Sequence, residues 1–310
     1  MTEYYQKTPI SACTTIKQDA IGRTQKIADL LKYALITRYI KTDRKIPPLS
    51  VILIAESELN KTRLLLAFKN IHHAKTIENL SPKPLSNFLK EQDKKQTFSH
   101  LIILDFIRTL QTSSQVAFAL STVLNNLMDE GTQCSMYYGQ EYDLKQRIQM
   151  GILTGITPQI FRKHFARWNE NGLITRFLPV SYQYSEDTNQ EVLTYISQDI
   201  PYVVKEATTT WKKRGYQTIN IDNPDIQSAI KLLTEDLVNH LKTFYVTKYY
   251  GRHETKVYLN MHGFRLLRMI QLLAKTICYE RGDNIVNYQD LAKLKEVCDL
   301  VRFPDNPKEV

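Results

Sequence analysis

The chain has 310 residues, is 43% hydrophobic and carries 41 lysines and arginines against 32 aspartates and glutamates, a net charge of +9. That apolar content supports a packed core and excludes a disordered chain, and the length allows two domains or one large one with an appendage. The pI near 9.2 fits contact with nucleic acid or another polyanion.

Cys13, Cys134, Cys278 and Cys298 are scattered with no C-x-x-C pair, so neither a zinc site nor a disulfide framework is indicated. They read as reduced thiols of a cytoplasmic protein. No apolar run approaches a membrane span, and Met1 to Lys7 lacks a signal-peptide apolar region.

In chain order, residues 1–20 are polar and read as an arm. Apolar residues then recur at Ile27, Leu30, Leu31, Ala34, Leu35 and Tyr39, which predicts a helix over 21–40. Pro47-Pro48 ends it, and Val51 to Ile54 is a short buried strand. Residues 69–97 alternate short apolar pieces with lysine-rich ones and give no clear element. Ser99 to Phe106 reads as a second buried strand, 114–130 as a helix, and Met150 to Ile156 as a further strand. Phe161 to Asn169 looks helical, Gly172 allows a turn, and Leu173 to Tyr184 is extended. A polar, turn-rich connector over 185–224 precedes three helices, Ile226 to Tyr245, Phe264 to Arg281 and Tyr288 to Val301. Asn260 or His262 is a candidate cap for the second of these. Strands alternating with helices predict a parallel α/β sheet.

The most informative stretch lies between the first strand and an apolar helix beginning near Leu64. Ala55-Glu56-Ser57-Glu58-Leu59-Asn60-Lys61-Thr62 has the frame of a Walker A loop, G-x-x-x-x-G-K-[ST]. Lys61 stands where the phosphate-reaching lysine belongs, and Thr62 where a magnesium-binding hydroxyl belongs. Both glycines are replaced, by Ala55 and Asn60. Such a loop cradles phosphate with backbone N–H groups and needs positive φ. Asn tolerates the left-handed region, so Asn60 is expected to keep the shape.

Asp105 ends the second strand 44 positions after Lys61, in the arrangement of a Walker B aspartate that holds magnesium. Phe106 follows, where many such ATPases have the glutamate that polarises water. Glu130 is a conceivable substitute. Thr154 and Thr157, near the end of the third strand, could orient a lytic water, although threonine is also ordinary in strands.

The order of these features resembles the AAA+ ATPases, most nearly the mini-chromosome maintenance helicases and related replication initiators of mobile elements. Besides Lys61-Thr62 and Asp105, Leu173-Ile174-Thr175-Arg176-Phe177 is similar to the segment that presents an arginine finger to a neighbouring subunit. Phe264 to Ala274, followed by Val286-Asn287-Tyr288-Gln289-Asp290, is similar to the helical lid, with Arg265 at the second sensor position. The resemblance spans roughly residues 25–180 and 226–300. It implies a three-layer P-loop NTPase core with a parallel sheet, and a helical lid that could be winged-helix-like. The expected divisions are 1–45 arm and helix, 46–184 core, 185–224 connector and 225–310 lid. It also implies a nucleotide site of Asn60, Lys61, Thr62, Asp105, Thr154 and Arg265, with ATP and magnesium (on Thr62 and Asp105) as cofactors. Arg176 and Glu130 would be the catalytic groups, and a homo-oligomer or partner ATPase the context.

The later half concentrates positive charge at Lys212, Lys213, Arg214, Lys248 and Arg252, interleaved with aromatics such as Trp211, Tyr216 and Tyr249. Lysines neutralise phosphates and exposed rings stack on bases, so this region is the candidate DNA surface. Tyr249 to His253 reads as the turn of a small β-wing. His72-His73 reads as a surface loop pair. The leading expectation is a degenerate AAA+ module in DNA metabolism that binds nucleotide weakly or not at all. An active ATPase with an unorthodox loop and a purely structural adaptor are the alternatives.

Overall fold

The computed structural model describes residues 20–41, 46–78, 80–95, 98–106, 114–137, 140–186, 189–190, 193, 214–250 and 253–306. Residues 1–19 of the expected arm, most of the connector, Lys212, Lys213, Arg252 and the side chain of Tyr249 lie outside them. The chain begins with α1 (Ala20–Ile36), β1 (Ile40–Lys41), β2 (Val51–Ile54), α2 (Lys61–Leu66), β3 (Ala74–Ile77) and α3 (Pro82–Lys95). Then come β4 (His100–Ile103), α4 (Ser114–Leu127), β5 (Thr132–Tyr137), β6 (Gln140–Ile148), β7 (Gly151–Ile156), α5 (Pro158–Glu170) and β8 (Leu178–Ser181). The rest is β9 (Gln217–Thr218), α6 (Pro224–Lys242), β10 (Tyr245–Tyr250), β11 (His253–Tyr258), α7 (Phe264–Arg281) and α8 (Tyr288–Cys298).

Five strands form one parallel sheet in the order β3-β4-β7-β2-β8. Every residue of β2, β4, β7 and β8 is buried. Continuous apolar runs, rather than alternating ones, are what a sheet covered on both faces requires, so the architecture is α/β and compatible with three layers. β7 separates the strand before the loop from the strand before Asp105.

The outer edge of β8 is closed by residues far along the chain. Ser181 N donates to Arg302 O at 3.1 Å, and Arg302 N to Pro179 O at 2.9 Å. Nearby, Phe161 and Phe165 of α5 pack with Phe244 and Phe303, with ring centroids 4.9–5.9 Å apart. The helices after residue 224 pack on one another and on α1, where Lys32 pairs with Glu280 of α7. One hydrophobic cluster runs from the sheet into these helices.

Local chemistry sets the helix ends. Asn223 accepts hydrogen bonds from Asp225 N and Ile226 N at the start of α6, with Pro224 in the first turn. Asn287 and Asp290 form a capping box on α8, and buried Asp290 also holds Arg281 at 2.8 and 2.9 Å, joining the end of α7 to the start of α8. Gly263 caps α7 in the left-handed region, so neither Asn260 nor His262 does. Cys278 and Cys298 are free and buried, and burial pushes both thiols up to about 12.

Where a small β-wing was expected, β10 and β11 pair antiparallel between α6 and α7. Several elements were not legible, among them the short strands β1 and β9. β3 and α3 lie inside the lysine-rich stretch, where Leu85 and Leu89 are the buried apolar residues of α3, beside buried Ser86 and Gln92. The antiparallel hairpin β5–β6 is polar and is held from the side by α3, whose Asp93 carboxylate accepts from Lys145 N and Gln146 N. The surface reading of His73 is wrong. It is buried, with Nε2 donating to Leu35 O at 3.1 Å and its ring edge-on to Tyr39.

His100 is buried at the start of β4, directly beneath Gly151 of β7. A Cβ on Gly151 would lie 2.5 Å from His100 Cδ2 and 2.5 Å from Leu49 O. Gly151→Ala is therefore expected to lower stability by about 1–3 kcal/mol through overpacking, read as a lower urea midpoint with unchanged slope; an unshifted midpoint would contradict this packing. Burial, then the neighbouring His73, holds the His100 imidazole down at about 3. The folded state keeps the ring neutral while the unfolded chain protonates it below about pH 6.5. Its contribution is complete above that pH and is lost progressively as pH falls towards about 3. Urea midpoints between pH 7 and pH 4 should fall more steeply for the native chain than for His100→Asn.

Candidate functional site

β2 delivers the chain into the loop with its sheet pairing intact. Ala55 is fully buried and its N–H donates to Ile156 O at 3.1 Å. Among the described residues the non-glycine positions with positive φ are Glu58 (69°) and Asn60 (59°). Ala55 is thus unstrained, and glycine is not needed there. Asn60 occupies the left-handed region at the start of α2, as its residue type predicted. Glu58 sits there at a cost of about 1–2 kcal/mol, which the sequence did not reveal. Two tyrosines leaving β8 hold this shape: Tyr182 OH donates to Leu59 O at 2.7 Å, and Asn60 Nδ2 donates to Tyr184 OH at 2.9 Å.

Lys61 turns back into its own loop. Its Nζ donates to Ala55 O at 2.7 Å and to Glu56 O at 2.5 Å. Burial pushes its ammonium below the usual lysine value, and the Glu56 carboxylate opposes that. Gly155 of β7 makes room for it, since a Cβ there would stand 3.3 Å from Lys61 Cβ. Thr62 is exposed. Asp105 follows β4 at the same edge of the sheet, its N–H donating to Glu78 O at 2.7 Å. With β7 between them, β2 and β4 lie two strand spacings apart, about 10 Å. Thr62 and Asp105 are the residues that could share a magnesium ion. No cluster of three His, Cys, Asp or Glu suited to a metal occurs among the described residues.

Other expected groups fall elsewhere. Thr154 is fully buried and its hydroxyl donates to Ile103 O at 2.8 Å, tying β7 to β4. Phe106 is a core residue, edge-on to Trp168 and Phe177 with centroids 5.8 and 6.0 Å away. Glu130 is exposed just beyond α4, beside the start of β7, so it stands at the sheet edge opposite the loop and cannot replace a glutamate after Asp105.

Arg176 and Arg265 come together, also at that opposite edge. Both bind one oxygen of Asp129: Arg176 at 3.1 Å and Arg265 at 2.6 Å. Arg176 also donates to Gly172 O at 2.6 Å, and Arg265 to Thr175 Oγ1 at 3.1 Å. With residues 46–50, which lead into β2, they line a cavity of about 40 Å³. Burial, then the neighbouring Arg265, disfavours the charge on Arg176, and Asp129 opposes both. The buried Arg176 Nε has no hydrogen-bond partner among the described residues. As a nucleotide sensor for this chain's own loop, Arg265 is misplaced by the length of β2. Asp129 and Gly155 carried no sequence signal; they matter through tertiary contacts alone.

Among the expected nucleic-acid residues, Arg214 is spent on structure. Its guanidinium donates to Tyr279 O, Asp283 O and Asn284 Oδ1 at 3.1–3.3 Å, at the end of α7. Lys248 pairs with Glu170 at 3.4 Å. The outer face of the β10–β11 hairpin carries Tyr245 and Tyr258, centroids 5.6 Å apart, with Lys256 Nζ 4.5 Å from the Tyr245 centroid. No helix among the described residues is long and apolar enough to cross a membrane.

Compared with protein-family models and with curated proteins, the chain matches none.

Asp129→Ala would leave two guanidinium groups facing each other without the carboxylate they share. It is expected to lower stability by about 1–3 kcal/mol, and Arg265→Ala added to it should cost little more. Additive effects in urea unfolding, within about 0.5 kcal/mol, would show that the shared ion pair is not formed.

Proposed function

We propose that this chain is a degenerate P-loop module of the AAA+ type. In this reading it binds nucleotide weakly or not at all, has no efficient hydrolysis of its own, and works in DNA metabolism through nucleic acid and a partner ATPase or further copies of itself. The observation that carries the reading is the loop. A left-handed Asn60 opens α2 after the inner strand of a parallel sheet, and Lys61 is satisfied by its own loop carbonyls rather than held out for a phosphate. The frame supports descent from a nucleotide site, and the lysine's internal bonds support a weak one.

If nucleotide binds, the backbone N–H groups around Asn60, the Lys61 ammonium, Thr62 and Asp105 would hold its phosphates and magnesium. Lys61 must first give up two charge-assisted hydrogen bonds, worth about 1.5–3 kcal/mol each, and Glu58 adds a carboxylate beside the phosphate position. The groups expected to act on water or on developing charge are engaged elsewhere. Phe106 belongs to the core, and both candidate arginines are held by Asp129. Arg176 could serve a neighbouring subunit only after leaving that pair. The tyrosine–lysine face of the hairpin supports the nucleic-acid part of the reading.

The test combines thermal melting with phosphate release. At 1 mM ATP and magnesium, a Kd of about 1 mM or weaker gives a shift under about 1 °C, and phosphate release with DNA present should match that of Lys61→Ala. A shift of several degrees with turnover abolished by Lys61→Ala would instead establish an active ATPase. Phe106→Glu should not rescue activity: it buries a carboxylate among aromatic rings and is expected to destabilise the fold by more than about 3 kcal/mol.

A further inference from the structure

A second surface has the chemistry of a nucleic-acid site, and Tyr216 alone of the residues expected in the DNA-contact region lies in it. A groove of about 600 Å³ opens between the β1–β9 ribbon and β6. Arg38 comes from the turn after α1, Lys41 from β1, Arg147 and Gln149 from the end of β6, and Tyr216 and Thr218 from β9 and the residue before it. The ribbon is set by parallel pairing of Ile40 with Gln217 and Lys41 with Thr218. None of the described lining residues is an aspartate or glutamate. Three cations in one concave surface, with no acid among the described lining residues, repel one another and focus a positive field outward.

Tyr216 gives this field a ring to work with. It is 53% exposed, yet its position is fixed from behind. Tyr39 lies 6.1 Å from it, Tyr39 stacks on Tyr279 at 5.9 Å and 13°, and the Arg214 guanidinium lies over Tyr279. Tyr216 is therefore the outer member of an aromatic column rooted in the core. A ring held this way loses little freedom when a base stacks on it. Cations beside an exposed, pre-set ring are the two elements that bind single strands: charge follows the backbone and the ring takes a base. The volume is that of a small-molecule pocket, enough for about one or two nucleotides of a single strand.

We propose that this groove binds single-stranded nucleic acid, with Arg38, Lys41 and Arg147 on phosphates and Tyr216 stacked on a base. The proposal rests on the nucleic-acid part of the reading above but, Tyr216 apart, uses different residues, at the sheet edge opposite the loop.

The experiment is fluorescence anisotropy with a labelled twenty-nucleotide oligo-dT and the full chain, from 25 to 200 mM salt. The Arg38→Gln, Lys41→Gln, Arg147→Gln variant should lose at least about tenfold in affinity at low salt. Its log–log salt slope should flatten by about 2, at roughly 0.7 per phosphate contact. Tyr216→Ala should weaken binding about 5- to 100-fold, while Tyr216→Phe, which keeps the ring, should bind like the native chain. Melting temperatures of all variants check that the aromatic column survives. The same losses should appear in a Lys248→Gln, Lys256→Gln background, which removes charge from the hairpin. An unchanged slope in the groove variant, or equal binding by Tyr216→Ala and the native chain, overturns the groove site. If the hairpin variant alone loses binding, the groove fails and the earlier reading stands. Displacement by tripolyphosphate as effective as by unlabelled oligo-dT at matched ionic strength would overturn the nucleic-acid assignment. No binding by the native chain at 25 mM salt would overturn both.

Discussion

β7 is narrow at two points, and the chemistry at each edge of the sheet is built against one of them. At its start, Gly151 lets His100 and the Leu49 carbonyl close beneath the strand. Towards its end, Gly155 lets Lys61 lie against the sheet with its ammonium tucked under the loop. Side chains at these positions would push α2 off the sheet at one edge and the segment leading into β2 at the other. The central strand is where the backbone must be approached most closely, and the glycines are there rather than in the loop.

The loop keeps its form by other means. Asn60 supplies the left-handed turn, Glu58 accepts a strained one, and Tyr182 and Tyr184 fasten Leu59 and Asn60 from the neighbouring strand. Hydrogen bonds from outside thus replace conformational freedom inside. A loop stabilised this way is rigid in one shape, whereas a glycine-rich loop wraps its ligand closely with backbone N–H groups. At the other edge, Asp129 gathers Arg176 and Arg265 from segments 89 positions apart into one partly buried cluster. Its energetic role is to offset their mutual repulsion, so the three residues act as a unit that fastens α7 to the turn before β8.

The frame of the fold was legible because its signals are local. Buried parallel strands show as the apolar runs Val51 to Ile54 and, within the expected Ser99 to Phe106, His100 to Ile103, and the helix from Phe264 to Arg281 was read with the bounds it has. Asn60 could be assigned its backbone conformation from residue type alone. Phe106 could be seen to lack a catalytic carboxylate, but its place among Trp168 and Phe177 could not. Residues whose importance depends on a distant partner were invisible: Asp129 reads as an ordinary helix-end acid, Tyr182 as part of an extended run, and His73 as half of a surface pair. Arg214 shows the converse. Its charge suggested a ligand, and its three carbonyl-type acceptors belong to the end of α7.

The pairing of Arg302 with β8 bears on how the molecule is made. Ser181 and Arg302 are 121 positions apart, and α1 likewise finds its partners in α7 and α8. A ribosome that has released only the sheet-forming part leaves β8 with an open hydrogen-bonding edge and α1 with an uncovered apolar face. Such an intermediate is prone to edge-to-edge association and calls for chaperone cover during synthesis. Folding is completed only after residues near 302 have emerged, and proteolytic trimming back to the sheet would return the chain to that sticky state.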